Sequence, residues 1–149
     1  MGEMTIQLAA PEELVLNVLM DLNKGQISEV TTRFASKFRF KDHGIGLEFT
    51  DRERLGEFFR KTREFYPDTV LHTDTILVSG DHVITEWTLQ YVLTEPFYGG
   101  LHRKIQVLVH GASIVRTDNG KVTDWSDYYD GRTSRRAALA SYFTEWLEL

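Results

Sequence analysis

There is no cysteine anywhere in the 149 residues. That removes disulfides, thiolate nucleophiles and cysteine-bound metals from consideration together. Positive charge is also scarce: 17 Lys and Arg stand against 22 Asp and Glu, a net charge of −5. Nucleic-acid binding needs a basic stripe to neutralise phosphates, so no nucleic-acid partner is expected. The tight basic cluster Arg132, Arg135 and Arg136 is read as solvated surface, with pairing to Asp130 or to an anionic substrate group as alternatives. Long apolar runs are missing too. None approaches the roughly 18 residues that cross a membrane, so no membrane partner is expected. Met1 to Ala10 have neither the basic start nor the apolar stretch of a signal peptide, and the expected location is cytoplasmic. His43, His72, His82, His102 and His110 show no ligand spacing, so no metal is expected. Gly99-Gly100 lacks the length and helix context of a phosphate loop, and no cofactor is expected either. With Phe97 and Tyr98 this pair suits a rim over a pocket mouth or a tight strand crossover.

What is present describes one soluble domain spanning 1–149, because neither a repeat nor a linker divides the chain. Pro11 suits a first helical position, with Leu14, Val15, Val18, Leu19 and Leu22 as the apolar stripe and Gly25 as the stop. A short helix is expected over Ile27 to Phe34. Phe38, Phe40 and Asp42 alternate with Lys37, Arg39 and Lys41, a half-buried strand with one acid on its apolar side. Thr50 and Glu53 form a capping-box signature before Leu55, Phe58, Phe59 and Phe65 at helical spacing, and Pro67 ends that helix. Strands follow at about Val70–Val78 and His82–Leu93, turning at Ser79-Gly80-Asp81. A loop from Glu95 to Gly100 leads into a hairpin around Asp118-Asn119-Gly120, whose residues tolerate positive φ. Leu139, Tyr142, Phe143, Trp146 and Leu147 mark a C-terminal amphipathic helix over 134–147. The pattern is α+β: a curved antiparallel sheet wrapped on three helices of the N-terminal half, plus that C-terminal helix.

Certain segments, in this order, carry a resemblance. They are Phe34-Ala35 before the first strand, Gly46 to Arg52 entering the third helix, Gly111 to Ile114, Asp118 to Val122, and Trp125 to Asp130. Over about residues 12–132 the sequence resembles a SnoaL-like member of the nuclear transport factor 2 superfamily. That superfamily has a cone-shaped α+β fold with a deep apolar pocket, usually in a dimer. Its members include polyketide cyclases, ketosteroid isomerases, limonene-epoxide hydrolases and proteins without known catalysis, so the fold does not fix the function.

Residue by residue, the resemblance implies the following. Asp42 falls where ketosteroid isomerases carry their general base, but the positions of their two acidic donors read Val18 and Ala112. Asp127 matches one aspartate of the epoxide hydrolases. Their arginine and second aspartate positions read Trp87 and Leu89, and their Tyr and Asn positions read Phe40 and Asp42. In the SnoaL-type cyclases an aspartate removes a proton during aldol closure, and Asp127 resembles that residue within its Trp-x-Asp-Tyr strand.

Side chains alternate faces along a strand, so Trp125, Asp127 and Tyr129 share one side. With Ala112 inward by its match, Leu108, His110 and Ile114 are expected inward too. Trp87 and Leu89 bring Thr85 and Tyr91, and Asp42 joins Phe38 and Phe40. The expected catalytic group is Asp127, Asp42, His110 and Tyr129. The expected substrate walls are Phe38, Phe40, Trp87, Leu89, Ala112 and Trp125. Ile84, Glu86, Thr88, Gln90 and Val92, with Ile105, Val107, Val109 and Val115, are expected on the outer face, as part of a homodimer contact. Two functions of different class fit. One is a cofactor-independent cyclase or isomerase moving a proton on a hydrophobic carbonyl-bearing or cyclic small molecule. The other is a non-catalytic ligand-binding or dimerisation module of the same fold, with Asp127 bonded to His110 or to a backbone amide.

Overall fold

The computed structural model describes residues 8–96 and 102–133. The expected C-terminal helix over 134–147, and Phe97 to Gly100 of the expected rim, lie outside the described residues. Helix α1 (Pro11–Lys24) starts at its proline with Glu12 and Glu13 in the first turn, where carboxylates favour the helix dipole. It stops at Gly25, whose φ of 73° is the left-handed conformation glycine adopts without a Cβ penalty. Leu14, Val15, Val18 and Leu19 face the core as the periodicity predicts. Helix α2 (Ile27–Thr32) is two residues shorter than expected, because Phe34 already opens strand β1 (Phe34–Asp42) and is fully buried there.

A short strand β2 (Leu47–Phe49), unmarked in the sequence, precedes helix α3 (Arg52–Phe65). The cap of α3 is Asp51, not Thr50: the Asp51 carboxylate accepts from the Arg54 N–H at 3.0 Å. The capping box was read one residue early. The helix ends before Pro67, as expected.

Strands β3 (Val70–Ser79), β4 (His82–Pro96), β5 (His102–Asp118) and β6 (Lys121–Tyr129) complete a six-stranded sheet in the order β2-β1-β6-β5-β4-β3. Strand β4 runs on through Glu95 and Pro96, which had been assigned to the loop. The β5–β6 turn has Asn119 at φ 49° and Gly120 at φ 73°, the two positive angles that a tight hairpin requires. Neighbouring strands are antiparallel except β1 and β6, which run parallel, so the sheet is mixed. This α+β arrangement of three helices on one curved sheet matches the expected class.

Register places the chemistry. Asp42 on β1 stands beside Asp127 on β6, Asp127 opposite Ser113 on β5, and Ser113 opposite Thr85 on β4. Directly paired residues share a face, so these four form a polar row across the inner side of the sheet. Apolar residues flank it. On one side Phe40, Trp125, Val115 and Val83 occupy the next paired positions and are buried. Phe34 packs against Phe38 at 5.1 Å and Phe40 against Phe59 of α3 at 5.4 Å between ring centres, which seats the helix on the sheet. Burying such rings contributes about 2–3 kcal/mol each.

The capping register is testable by substitution. Asp51→Ala is expected to lower stability by about 1 kcal/mol, as loss of an N-cap does, while Thr50→Ala changes it by no more than about 0.3 kcal/mol. Urea unfolding of the two variants compares them directly. Equal losses would contradict the assignment.

Candidate functional site

A cavity of about 440 Å³ lies between the inner face of the sheet and helices α1 and α3. Its sheet side presents Phe40, Trp87, Leu89, Trp125 and Tyr129, and its helix side Val18, Leu19, Leu22, Phe58 and Phe59. Asp42, Ser113 and Asp127 are polar groups set into these apolar walls.

Asp127 is the most unusual of them. Its Oδ1 accepts from the Ser113 hydroxyl at 2.5 Å and from the Trp125 indole N–H at 2.7 Å. Ser113 Oγ in turn accepts from Trp87 Nε1 at 2.8 Å. The indole of Trp87 reaches it by lying over Gly111, where any Cβ would strike the ring. Thus Gly111 makes room, Trp87 orients Ser113, and Ser113 and Trp125 fix one oxygen of the acid. Among the described residues no donor meets Oδ2. A proton bound by this carboxyl therefore sits on Oδ2, because Oδ1 is committed as an acceptor. Burial pushes the Asp127 carboxyl up from 3.8 to about 7; the two hydrogen bonds oppose the rise, and the neighbouring Asp42 adds to it.

Asp42 is held differently. Its Oδ1 accepts from the backbone N–H groups of Gly44 at 3.0 Å and Ile45 at 3.1 Å. Its Oδ2 accepts from the Tyr129 hydroxyl at 2.9 Å. Three donors fully engage this carboxylate although it is almost wholly buried. Burial first, then the bond to Asp42, pushes the Tyr129 phenol far above its ordinary range, so it remains a hydroxyl. Two adjacent carboxyl groups thus have unlike surroundings, the arrangement that separates acid from base roles.

The structure gathers Asp42, Asp127, Tyr129, Phe40, Trp87, Leu89 and Trp125 around one cavity. It does not bring the other three expected residues there. His110 is on the opposite face, exposed, with Nδ1 at 3.1 Å from Thr88 Oγ1, which itself donates to Asp74 at 2.6 Å. Ala112, paired between Glu86 and Tyr128, shares that outer face. Phe38 faces inward but is buried in the Phe34 cluster rather than on the cavity wall. The expected parity of β5 is therefore reversed. Ile105, Val107, Val109 and Val115 are buried, while Leu108 and Ile114 are exposed. Apolar residues occupy both faces of this strand, so alternation alone cannot orient it. Ser113 was missed as a site residue for the same reason. The signal was Gly111-x-Ser113: small residues at alternate positions, matching two large or charged partners across the ladder.

No group of three or more His, Asp or Glu side chains suited to a metal occurs among the described residues. No helix there is long and apolar enough to cross a membrane.

A curved sheet and helices around an acid-bearing cavity define the architecture of this chain. Comparison with known proteins agrees. The SnoaL-like domain family model matches residues 17–125, and the chain belongs to that family. No curated protein sequence matches it. Among solved structures, IdmH of Streptomyces antibioticus, proposed to be a polyketide cyclase, is similar at a TM-score of 0.76 and 17% identity, covering 87% of this chain and 99% of that one. A proposed SnoaL-like polyketide cyclase from Shewanella denitrificans gives 0.74 and 13%, with 87% and 97% covered. A protein of ketosteroid-isomerase-like fold from Catenulispora acidiphila, in complex with trimethylamine, gives 0.72 and 22%, with 84% and 91% covered. These likenesses establish the fold.

The raised Asp127 carboxyl has a consequence for stability. In the unfolded chain it titrates near 3.8 and in the native state at about 7, so between those values the native state binds more protons. Stability must then fall as pH rises through that window and level off above it. The full linkage is about 4 kcal/mol, of which about 3 kcal/mol falls between pH 4.5 and 8. Asp127→Asn keeps the acceptor and cannot ionise. Between pH 4.5 and 8 it is expected to lose about 3 kcal/mol less stability than the wild type in urea unfolding; parallel curves would show that the carboxyl is not desolvated.

Proposed function

We propose that this protein is a cofactor-independent proton-transfer enzyme of the cyclase or isomerase type, acting on a hydrophobic carbonyl-bearing small molecule in the cone. The observation that carries the proposal is Asp127: a carboxyl in the wall of an apolar cavity with two donors on Oδ1 and, among the described residues, none on Oδ2, pushed up by burial to about 7. A carboxyl in that range exchanges protons with carbon acids and enolates at neutral pH, because neither of its forms is strongly preferred. In the forward step, Oδ2 of the ionised Asp127 takes a proton from the carbon beside the substrate carbonyl. The resulting enolate attacks an internal carbonyl or is reprotonated at another carbon, and Asp127 returns the proton. Tyr129, kept as a hydroxyl by burial and by its bond to Asp42, sits in the same wall and spends its one O–H holding that second carboxyl in place. The proposed cyclase assignments of IdmH and the Shewanella protein agree with this reaction class.

In the same reading the protein works as a homodimer in the cytoplasm. The outer sheet face supports the dimer: Ile84, Val92, Leu108 and Ile114 are each at least 40% exposed there. Binding without turnover is the alternative reading. It is favoured by Val18 on the cavity wall, which the resemblance places where isomerases have an acidic donor.

Hydrogen–deuterium exchange separates the two. With 1-tetralone, a bicyclic ketone, the wild type is expected to speed exchange beside the carbonyl over buffer, with a rate rising through about pH 7 as Asp127 ionises. Asp127→Asn should lower that rate about 100-fold or more. Ser113→Ala, which removes a donor to the ionised form, should move the pH profile upward. Absence of exchange with the wild type, with 1-tetralone bound, would favour the binding module.

A further inference from the structure

The polar groups of the cavity are segregated, and the end remote from Asp127 carries a cation. Arg63, in the last turn of α3, lines the cavity together with Asn23, Thr62 and Thr69. Its Nη1 donates to the carbonyls of Leu22 and Asn23 at 3.2 and 3.3 Å, across the C-terminus of α1. Its side chain passes against Gly25, whose missing Cβ leaves the space. Among the described residues no carboxylate lies within ion-pair distance of Arg63, and Nε and Nη2 meet no acceptor. The other cavity polar groups at this end are satisfied internally: Thr62 and Thr69 donate to Phe58 and Tyr66 carbonyls, and Asn23 Oδ1 accepts from Leu71 N.

Asn23, whose carbonyl accepts from Arg63, meets the sheet at Leu71, and register locates that point along the strands. Leu71 stands opposite Leu89, four residues along β4 from Thr85, which belongs to the row of Asp127. At about 3.3 Å per residue that is roughly 13 Å along the strand. Between the ends lies the ring of Trp87, and Tyr91 stands past Leu89 with its ring 4.6 Å from that of Tyr66. A ligand filling this space meets an acidic site at one end, an aromatic waist, and a guanidinium with two uncommitted N–H-bearing nitrogens at the other.

We infer that the substrate is a hydrophobic keto acid, its carbonyl at Asp127 and its carboxylate held by Arg63. The inference rests on the proton-transfer reading for what happens at the carbonyl, but the Arg63 contact stands or falls by itself. A guanidinium suits a planar carboxylate because its parallel N–H groups match the two oxygens. A carboxylate at that distance from Asp42 and Asp127 also avoids placing three acids together.

The test is binding, not turnover, so the absence of exchange activity leaves it intact. Calorimetric affinities at pH 7 are compared for 5-oxo-5-phenylpentanoate and its neutral methyl ester. The wild type is expected to bind the acid at least about 10-fold more tightly than the ester, as a charge-assisted contact does. Arg63→Gln should erase that preference, and Arg63→Lys should keep part of it. Because Arg63 also covers the end of α1, thermal melting checks that each variant is folded, and the wild-type comparison decides the matter without any variant. Equal affinities, no measurable binding of the acid, or a preference surviving in Arg63→Gln would overturn the inference.

Discussion

An ionisable carboxyl inside an apolar cavity, with no cation bonded to it among the described residues, is the constraint around which this fold is arranged. Moving a carboxylate out of water is costly, and the group responds by holding its proton to higher pH. Asp127 meets part of that cost with two neutral donors, Ser113 and Trp125, while the second carboxyl beside it adds to the cost. The donors keep the group fixed without making it a strong acid. A lysine or arginine in their place would stabilise the ionised form and draw the carboxyl back toward its ordinary value.

The surrounding architecture serves that placement. The parallel β1–β6 pair sets Asp42 beside Asp127, and the β5–β6 hairpin sets Ser113 opposite it. Gly111 allows Trp87 to lie flat and bond Ser113. At Gly44 an added Cβ would strike the ring of Tyr129, so a second glycine makes room for the second acid's partner. The helices close the cavity with aliphatic and phenylalanine side chains, which supply the low dielectric that makes the acid's position matter.

Much of this was legible in the sequence, and the failures have physical causes. The helix stripe of α1, the Asn119-Gly120 hairpin and the inward set Trp125, Asp127 and Tyr129 follow from periodicity and turn chemistry, which are local. His110 and Ala112 were misplaced because β5 is apolar on both faces, so its orientation depends on the pairing partner rather than on its own pattern. Phe38 has the right face, yet neighbouring Phe34 takes it into the core. The parallel β1–β6 contact joins segments some eighty residues apart, and no local signal announces it. Arg63 was not singled out in the sequence, because only the tertiary approach of α1 and α3 puts it on the cavity wall.

The central claim is that Asp127 is a desolvated acid poised near neutrality, and its own titration tests it most directly. Carbon-13 NMR of the side-chain carboxyl, assigned by comparison with Asp127→Asn, follows that group alone as pH is varied. A midpoint near 7 is predicted. A midpoint near the ordinary aspartate value of about 4 would contradict the account, because the carboxyl would then be hydrated and no longer matched to proton transfer at neutral pH.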